Sequence, residues 1–236
     1  MGALVSYHLE DQIAAITMDD GKVNALSPAM LAELNEALDR AEADGAAVLL
    51  AGRPGVFSAG FDLTVLGSGG RDGVAMARAG FELAARVLAF PAPVIIACTG
   101  HAIAMGMFLL LSGDYRVGVA GPFRFTANEV ALGLPVPETA MAICRRRLAP
   151  SYFARTVLAE PFGPDEAVAG GFLDRVVADT ELATAAASAA ARMAALNRTA
   201  FAATKLAAGR ETLTALRAAI GTDYGRTGAT APPARA

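Results

Sequence analysis

The chain has 236 residues, a mass of 24.1 kDa and a formal net charge of −3. That length fits one large domain, or one domain with a small appendage. The charge, with no basic run denser than Arg145, Arg146 and Arg147, argues against a nucleic-acid partner. Ala102–Leu111, the longest strictly apolar run of helical character, is too short to cross a bilayer. The N-terminal MGALVSYHLED lacks the basic and long apolar regions of a secretory signal. The hydrophobic share is 54%, but 55 of the residues are alanine, so the content of larger apolar side chains is ordinary for a globular core. Cys98 and Cys144 lie in apolar surroundings and read as buried free thiols of a cytoplasmic protein.

In chain order, 5–9 and 13–18 read as a β-hairpin. Ser27-Pro28 opens a helix, with Ser as cap and Pro at the first helical position. Met30, Leu31, Leu34 and Leu38 continue it at helical spacing to about residue 43. Residues 47–51 form a buried strand and 52–60 a Gly- and Pro-rich loop. A helix runs from 72 to about 90, where Pro91 and Pro93 end it. Strands follow at 94–98 and 115–119 around a short buried helix at 106–111, and 123–125 offers a further short strand. Helices are expected at about 137–147, 151–159 and 164–169, then a strand at 172–177. Two Ala-rich helices, 179–196 and 199–219, complete the pattern. This is an α/β core of mostly parallel strands with a helical C-terminal part. The expected division is 1–178 as core, 179–224 as C-terminal helices, and 225–236 as a disordered tail.

The sequence has no His/Cys pair at metal-ligand spacing, no dinucleotide fingerprint and no phosphate-binding P-loop. Ser58 has Val56 where a nucleophile elbow needs glycine. Two strand-to-helix loops stand out instead: Val56-Phe57-Ser58-Ala59-Gly60-Phe61-Asp62-Leu63 and Thr99-Gly100-His101-Ala102-Ile103-Ala104-Met105-Gly106. Both use small residues where the backbone must approach something closely. Backbone N–H groups at such helix entrances can hold an oxyanion, though ordinary turns would also account for them.

These loops, with Asn24-Ala25-Leu26-Ser27, the 93–114 stretch, Asn128-Glu129-Val130-Ala131-Leu132-Gly133 and the 167–177 segment, resemble the enoyl-CoA hydratase/isomerase (crotonase) superfamily. The resemblance runs in order from about residue 5 to residue 222. It implies a spiral core of ββα units, a helical C-terminal region that supports trimers or dimers of trimers, and an acyl-CoA thioester as substrate without a further cofactor. It places the oxyanion-holding N–H groups at Phe61 and Met105, with Gly106 beside the latter. The family usually has a small residue at Phe61 and glycines at Ala104 and Met105. The donors are main chain, so these substitutions reshape the pocket without deleting them. By the same resemblance Lys22, Val23, Ala25, Leu26, Ala59, Phe61, Asp62, Leu63 and Phe108 border the CoA or its acyl group. Lys205 could meet a CoA phosphate as a point charge, across a subunit boundary if need be.

Family hydratases use two glutamates. The first position falls on Phe108, whose ring cannot move a proton. The second falls on Glu129. One carboxylate beside an oxyanion hole suffices for a 1,3-proton shift, so the favoured reaction is Δ3-Δ2-enoyl-CoA isomerisation. The alternatives are an enoyl-CoA hydratase with Glu138 or His101 as substitute second group, and an acyl-CoA-binding protein that has lost its chemistry. Glu138 at a helix start also suits the helix dipole, and Asp62 reads first as a loop cap.

Overall fold

The computed structural model describes residues 2–67 and 70–225. Val5–Glu10 (β1) and Ile13–Met18 (β2) pair antiparallel across Asp11-Gln12, whose φ values are 47° and 61°. Two positive φ angles make a turn whose twist matches that of the strands it joins. Pro28–Asp44 (α1) follows as its sequence predicts, with the Ser27 hydroxyl accepting from Met30 N–H at 3.2 Å.

Three ββα units then repeat. Ala47–Ala51 (β3) leads to Gly55–Ser58 (β4), then Leu63–Gly67 (α2) and Arg71–Ala89 (α3). Val94–Cys98 (β5) leads to Gly100–Ile103 (β6) and Met105–Ser112 (α4). Tyr115–Val119 (β7) leads to Phe125–Thr126 (β8) and Glu138–Arg147 (α5). The first strand of each unit enters the main sheet, ordered β1-β2-β3-β5-β7-β9 with Arg175–Val177 as β9. The second enters a smaller sheet, β4-β6-β8. Every pair beyond β1–β2 is parallel. This is the expected spiral.

Parallel strands covered on both faces read as continuous apolar runs, and β5 is buried at all five positions. One face of the main sheet packs on α1, α3 and α4 in the large core. The other is covered by Leu182–Ala194 (α8), through Ala186, Ala189 and Ala190. Small side chains there let the helix lie close to the sheet, which gives the abundant alanine a packing role. The last helix, Arg198–Tyr224 (α9), packs on α3 and α5.

Several boundaries differ from expectation. The 52–60 loop contains β4, and the loop after β5 contains β6. Four-residue strands flanked by glycine leave too short a pattern to separate from a turn. The strand expected at 123–125 is Phe125–Thr126, and the one expected at 172–177 begins at Arg175, with Phe172 and Leu173 turned into the core. The helix at 151–159 is Pro150–Thr156 (α6), followed by Pro164–Gly170 (α7). Of the tail expected at 225–236, all but Gly225 lies outside the described residues. Both cysteines are free and buried. Among the described residues no helix is long and apolar enough to cross a membrane.

One residue on the route to α4 is strained. Ala104 has φ 48° and ψ −124°, a region that suits glycine because a Cβ crowds the neighbouring carbonyl. Ala104→Gly is expected to stabilise the fold by about 1 kcal/mol, read as a higher midpoint in urea unfolding. A lower midpoint would show that the methyl group's packing outweighs the strain.

Candidate active site

Three segments meet at the start of α4. The first is the 20–26 turn. The Asp20 carboxylate accepts from the N–H groups of Lys22 (2.7 Å), Asn24 (2.8 Å) and Ala25 (2.9 Å). Burial opposes its ionisation, but these amides hold its pKa below the usual value. The buried Asn24 side chain donates to the Met18 and Phe57 carbonyls, fixing the turn to β4. The second segment, 58–62, is stitched to it: Ala59 N–H donates to Val23 O at 3.0 Å and Leu26 N–H to Gly60 O at 2.8 Å. Lys22, Val23, Ala25, Leu26, Ala59, Phe61, Asp62 and Leu63 thus fall in one neighbourhood. Within it, Leu26 is buried, whereas Lys22, Val23 and Leu63 are exposed.

The third segment is 103–106. Gly60 has φ +92°, and a Cβ built on it would lie 2.9 Å from Ile103 O and 3.3 Å from Met105 N. The turn carrying the Phe61 amide therefore lies against the one carrying the Met105 amide. Gly106 is equally tight, since a Cβ there would come within 2.4 Å of Ser58 O. Met105 is the first residue of α4, so its N–H has no carbonyl one turn earlier to bond. Gly60→Ala is expected to force these two turns apart and destabilise the fold by about 1–3 kcal/mol. Urea unfolding checks this, and an unchanged midpoint would show that the gap between the turns is slack.

The carboxylate comes from the third unit. Ala104 N–H donates to Thr126 O at 2.8 Å, so β8 is pinned to the entrance of α4, and Glu129 follows three residues later at a 3-10 turn, Val130–Leu132. Its carbonyl accepts from Leu132 and Leu134 N–H, which fixes the backbone. The Oε2 atom is buried and has no hydrogen-bond partner among the described residues. Burial raises the Glu129 pKa, only partly offset by its own backbone N–H. Cys144 on α5 and Tyr224 on α9 feel its charge. Burial pushes both the Cys144 thiol and the Tyr224 phenol up to about 12, and Glu129 adds to each.

Phe108, one turn into α4, is 1% exposed. Its ring stacks on Phe81 of α3 with centroids 6.0 Å apart, and Phe81 stacks on Tyr224 at 5.7 Å. Phe61 meets Phe81 edge-on at 6.2 Å and lies over Gly80, where a Cβ would come within 2.4 Å of its ring. Phe81 is therefore the centre of an aromatic cluster, and Phe108, the position that the resemblance gives to the family's first glutamate, packs on one side of it. Phe81, Tyr224 and Gly80 escaped sequence reasoning. A glycine amid the good helix formers of 71–89 was the one available signal of a close approach.

Three expected participants stand elsewhere. Lys205 is buried, 2.6 Å from Asp114 Oδ2 and 3.4 Å from the Ala92 carbonyl. It is committed to its own subunit's core, so its assignment to a CoA phosphate is withdrawn. Glu138 is exposed at the start of α5 and faces Arg145 at 3.4 Å. The His101 Nδ1 accepts from Arg124 N–H at 3.2 Å, and its ring meets Phe123 edge-on. Among the described residues neither makes a hydrogen bond or ion pair with Glu129. Asp62 is a loop cap: its Oδ1 accepts from Thr64 N–H at 2.8 Å. The 145–147 arginines end α5, where Arg146 donates to Ala208 O, and Arg147 to the Leu111 and Gly113 carbonyls. Among the described residues no His/Cys/Asp/Glu group could hold a metal.

A spiral of ββα units with a helical C-terminal part is the fold of this chain, and comparison with known proteins gives its family. Residues 8–230 match the model of the enoyl-CoA hydratase/isomerase family. The chain belongs to that family. A structure described as an apo enoyl-CoA isomerase of Mycobacterium tuberculosis is 46% identical, with a TM-score of 0.91, over 94% of this chain and 99% of that one. The human mitochondrial Δ3-Δ2-enoyl-CoA isomerase is 28% identical, with a TM-score of 0.87, over 94% of this chain and 91% of that one. A Bacillus subtilis protein named "probable enoyl-CoA hydratase" is 32% identical over 135 residues, 56% of this chain but only 49% of that protein.

Proposed function

We propose that this protein isomerises 3-enoyl-CoA thioesters to 2-enoyl-CoA, with Glu129 as sole acid and base. Phe108 carries this reading. It fills the position that the resemblance gives to the first family glutamate with a buried ring stacked on Phe81, while Glu138 faces Arg145 and His101 accepts from Arg124 N–H. The thioester oxygen would lie between the Phe61 and Met105 N–H groups, with Gly106 allowing the close approach. Glu129 would take a proton from carbon 2, the electrons would delocalise onto the thioester oxygen, and the same carboxyl would return the proton at carbon 4. No water is consumed, so no second activating group is needed.

The raised Glu129 pKa suits this task, because a carboxylate closer in basicity to neutrality is a better proton acceptor. The CoA would run along the exposed rim near Lys22, Val23, Ala25, Ala59 and Leu63, with Lys22 free to meet a phosphate. The test is a paired assay at one acyl chain length. One arm follows formation of the conjugated thioester from 3-enoyl-CoA, and the other follows its loss from 2-enoyl-CoA. Formation without loss is expected. Rapid loss would mean that water is activated despite Phe108. Silence in both arms, with acyl-CoA still bound, would make the chain a binding protein.

A further inference from the structure

The two turns that lie together at the start of α4 carry large side chains, Phe61 on one and Met105 on the other. Both side chains reach α3 at the same point. A Cβ built on Gly80 would lie 2.4 Å from Cε1 and 2.6 Å from Cζ of the Phe61 ring, and 3.6 Å from Met105 Cγ. Gly80 is buried inside a 19-residue helix and is absent from the glycines with positive φ. Its backbone therefore does not call for glycine, and a glycine there weakens the helix. Space explains it: the missing Cβ leaves a seat for the Phe61 ring. Phe81, next along α3, completes the seat, meeting that ring at 68° with centroids 6.2 Å apart.

The seat lies on the inner side of the site. The rim at Lys22, Val23 and Leu63 is exposed, whereas Phe61 is partly buried against the main core and Met105 is 1% exposed. Glu129 Oε2 is buried as well. An acyl chain whose thioester oxygen lies between the Phe61 and Met105 amides must run inward to bring carbons 2 and 4 to that carboxylate. It starts out beside these two side chains, because they grow from the same residues as the donors. Behind them stand Phe81 and Phe108, each 1% exposed and stacked on one another. Such an interior is close-packed, and further methylenes find no room unless a side chain yields.

We propose that the Phe61 ring, seated at Gly80, sets the acyl chain length: it stops the hydrocarbon tail soon after carbon 4 and selects short 3-enoyl-CoA thioesters. This rests on the isomerase reading, which puts the thioester at the Phe61 amide. The resemblance gives a small residue at this position, so the stop comes from this chain's own departure from that pattern. One residue then has two roles, its amide holding the oxygen and its ring measuring the tail.

Wild-type protein should turn over 3-hexenoyl-CoA with a kcat/KM at least about tenfold above that for 3-dodecenoyl-CoA, since a tight apolar pocket discriminates that strongly over a single methylene. Phe61→Ala keeps the amide and removes the ring. The dodecenoyl-to-hexenoyl ratio of kcat/KM should then rise at least about tenfold. Phe61→Leu, which keeps more of the packing on Phe81, should raise it by less. Equal use of both chains by wild type, or an unchanged ratio in Phe61→Ala and Phe61→Leu, would overturn the proposal and leave the isomerase reading intact.

If wild-type protein turns over neither enoyl substrate, the isomerase reading fails and binding decides. Calorimetry with hexanoyl-CoA and dodecanoyl-CoA then replaces kinetics. A dodecanoyl-to-hexanoyl affinity ratio that rises about tenfold in Phe61→Ala supports the stop. A fixed ratio, or no binding of either ligand, overturns it. The seat has its own test, which needs no substrate. Gly80→Ala should lower the urea midpoint of wild type, because the ring must leave. In Phe61→Ala the same change should raise the midpoint, because alanine is the better helix former and its methyl group now has room. An equal loss in both backgrounds would show that Gly80 does not seat the ring, and would overturn the proposal.

Discussion

Glu129→Gln is expected to lower isomerisation of 3-enoyl-CoA by about 10²–10⁴-fold, the range for removal of a general base. Acyl-CoA binding should change little, because the amides at Phe61 and Met105 and the rim near Lys22 are untouched. The same substitution should stabilise the protein. Burial raises the Glu129 pKa, so the folded state holds a proton on this group more readily than the unfolded chain does. The resulting stability is present below the unfolded pKa and is lost as pH rises through the raised folded value. At neutral pH the ionised carboxylate therefore works against folding. The Gln variant should unfold at higher urea concentration than wild type near pH 7, and the gap should narrow as pH falls. Full turnover in this variant would remove Glu129 from the chemistry. A gap that fails to narrow in acid would show that its charge carries no folding cost.

Lys205→Met should be the most destabilising change far from the site, by about 3 kcal/mol. Lys205 Nζ and Asp114 Oδ2 lie 2.6 Å apart, and that oxygen also accepts from Val94 N–H at 2.9 Å. The pair pins α9 to the starts of β5 and β7. Burial lowers the Lys205 pKa in spite of the Asp114 charge, so holding the ammonium is itself costly. The loss on mutation comes mainly from the stranded carboxylate, not from a forfeited attraction. Lys205→Met combined with Asp114→Asn should accordingly be less destabilising than Lys205→Met alone, since Asn keeps an acceptor for Val94 N–H. Urea unfolding of both variants decides this. A double variant that is worse than the single one would mean that the pair is stabilising in its own right.

The sequence made legible what depends on neighbours along the chain. The buried runs at 47–51, 94–98 and 115–119 and the Ser27-Pro28 cap are local signals, and each stands where expected. Glu129 was legible only through the resemblance, because a carboxylate on a turn has no local mark of chemistry. What could not be read depends on contacts between distant segments. Tyr224 meets Phe81 through the packing of α9 on α3, and no periodicity encodes that. Lys205 looked like a solvent-facing cation because Asp114, its partner, lies 91 residues and four α-helices earlier in the chain. His101 and Glu138 drew attention by residue type and proximity in sequence, but their side chains turn to Arg124 and Arg145.

The course of α9 bears on how the protein is made. The helix is about 40 Å long for its 27 residues, and it carries both the Lys205 anchor, in its first part, and the ring of Tyr224, at its end. The site thus draws on the Lys22 turn near one end of the described chain and on the Phe81–Tyr224 stack near the other. Synthesis delivers these parts in order. A growing chain has its two amide-bearing turns and Glu129 outside the ribosome well before the helix that completes the aromatic cluster. Until then, Phe81 has no ring from α9 against it, and this apolar surface is open to water and to other nascent chains. Acyl-CoA would find no finished pocket on which to template folding.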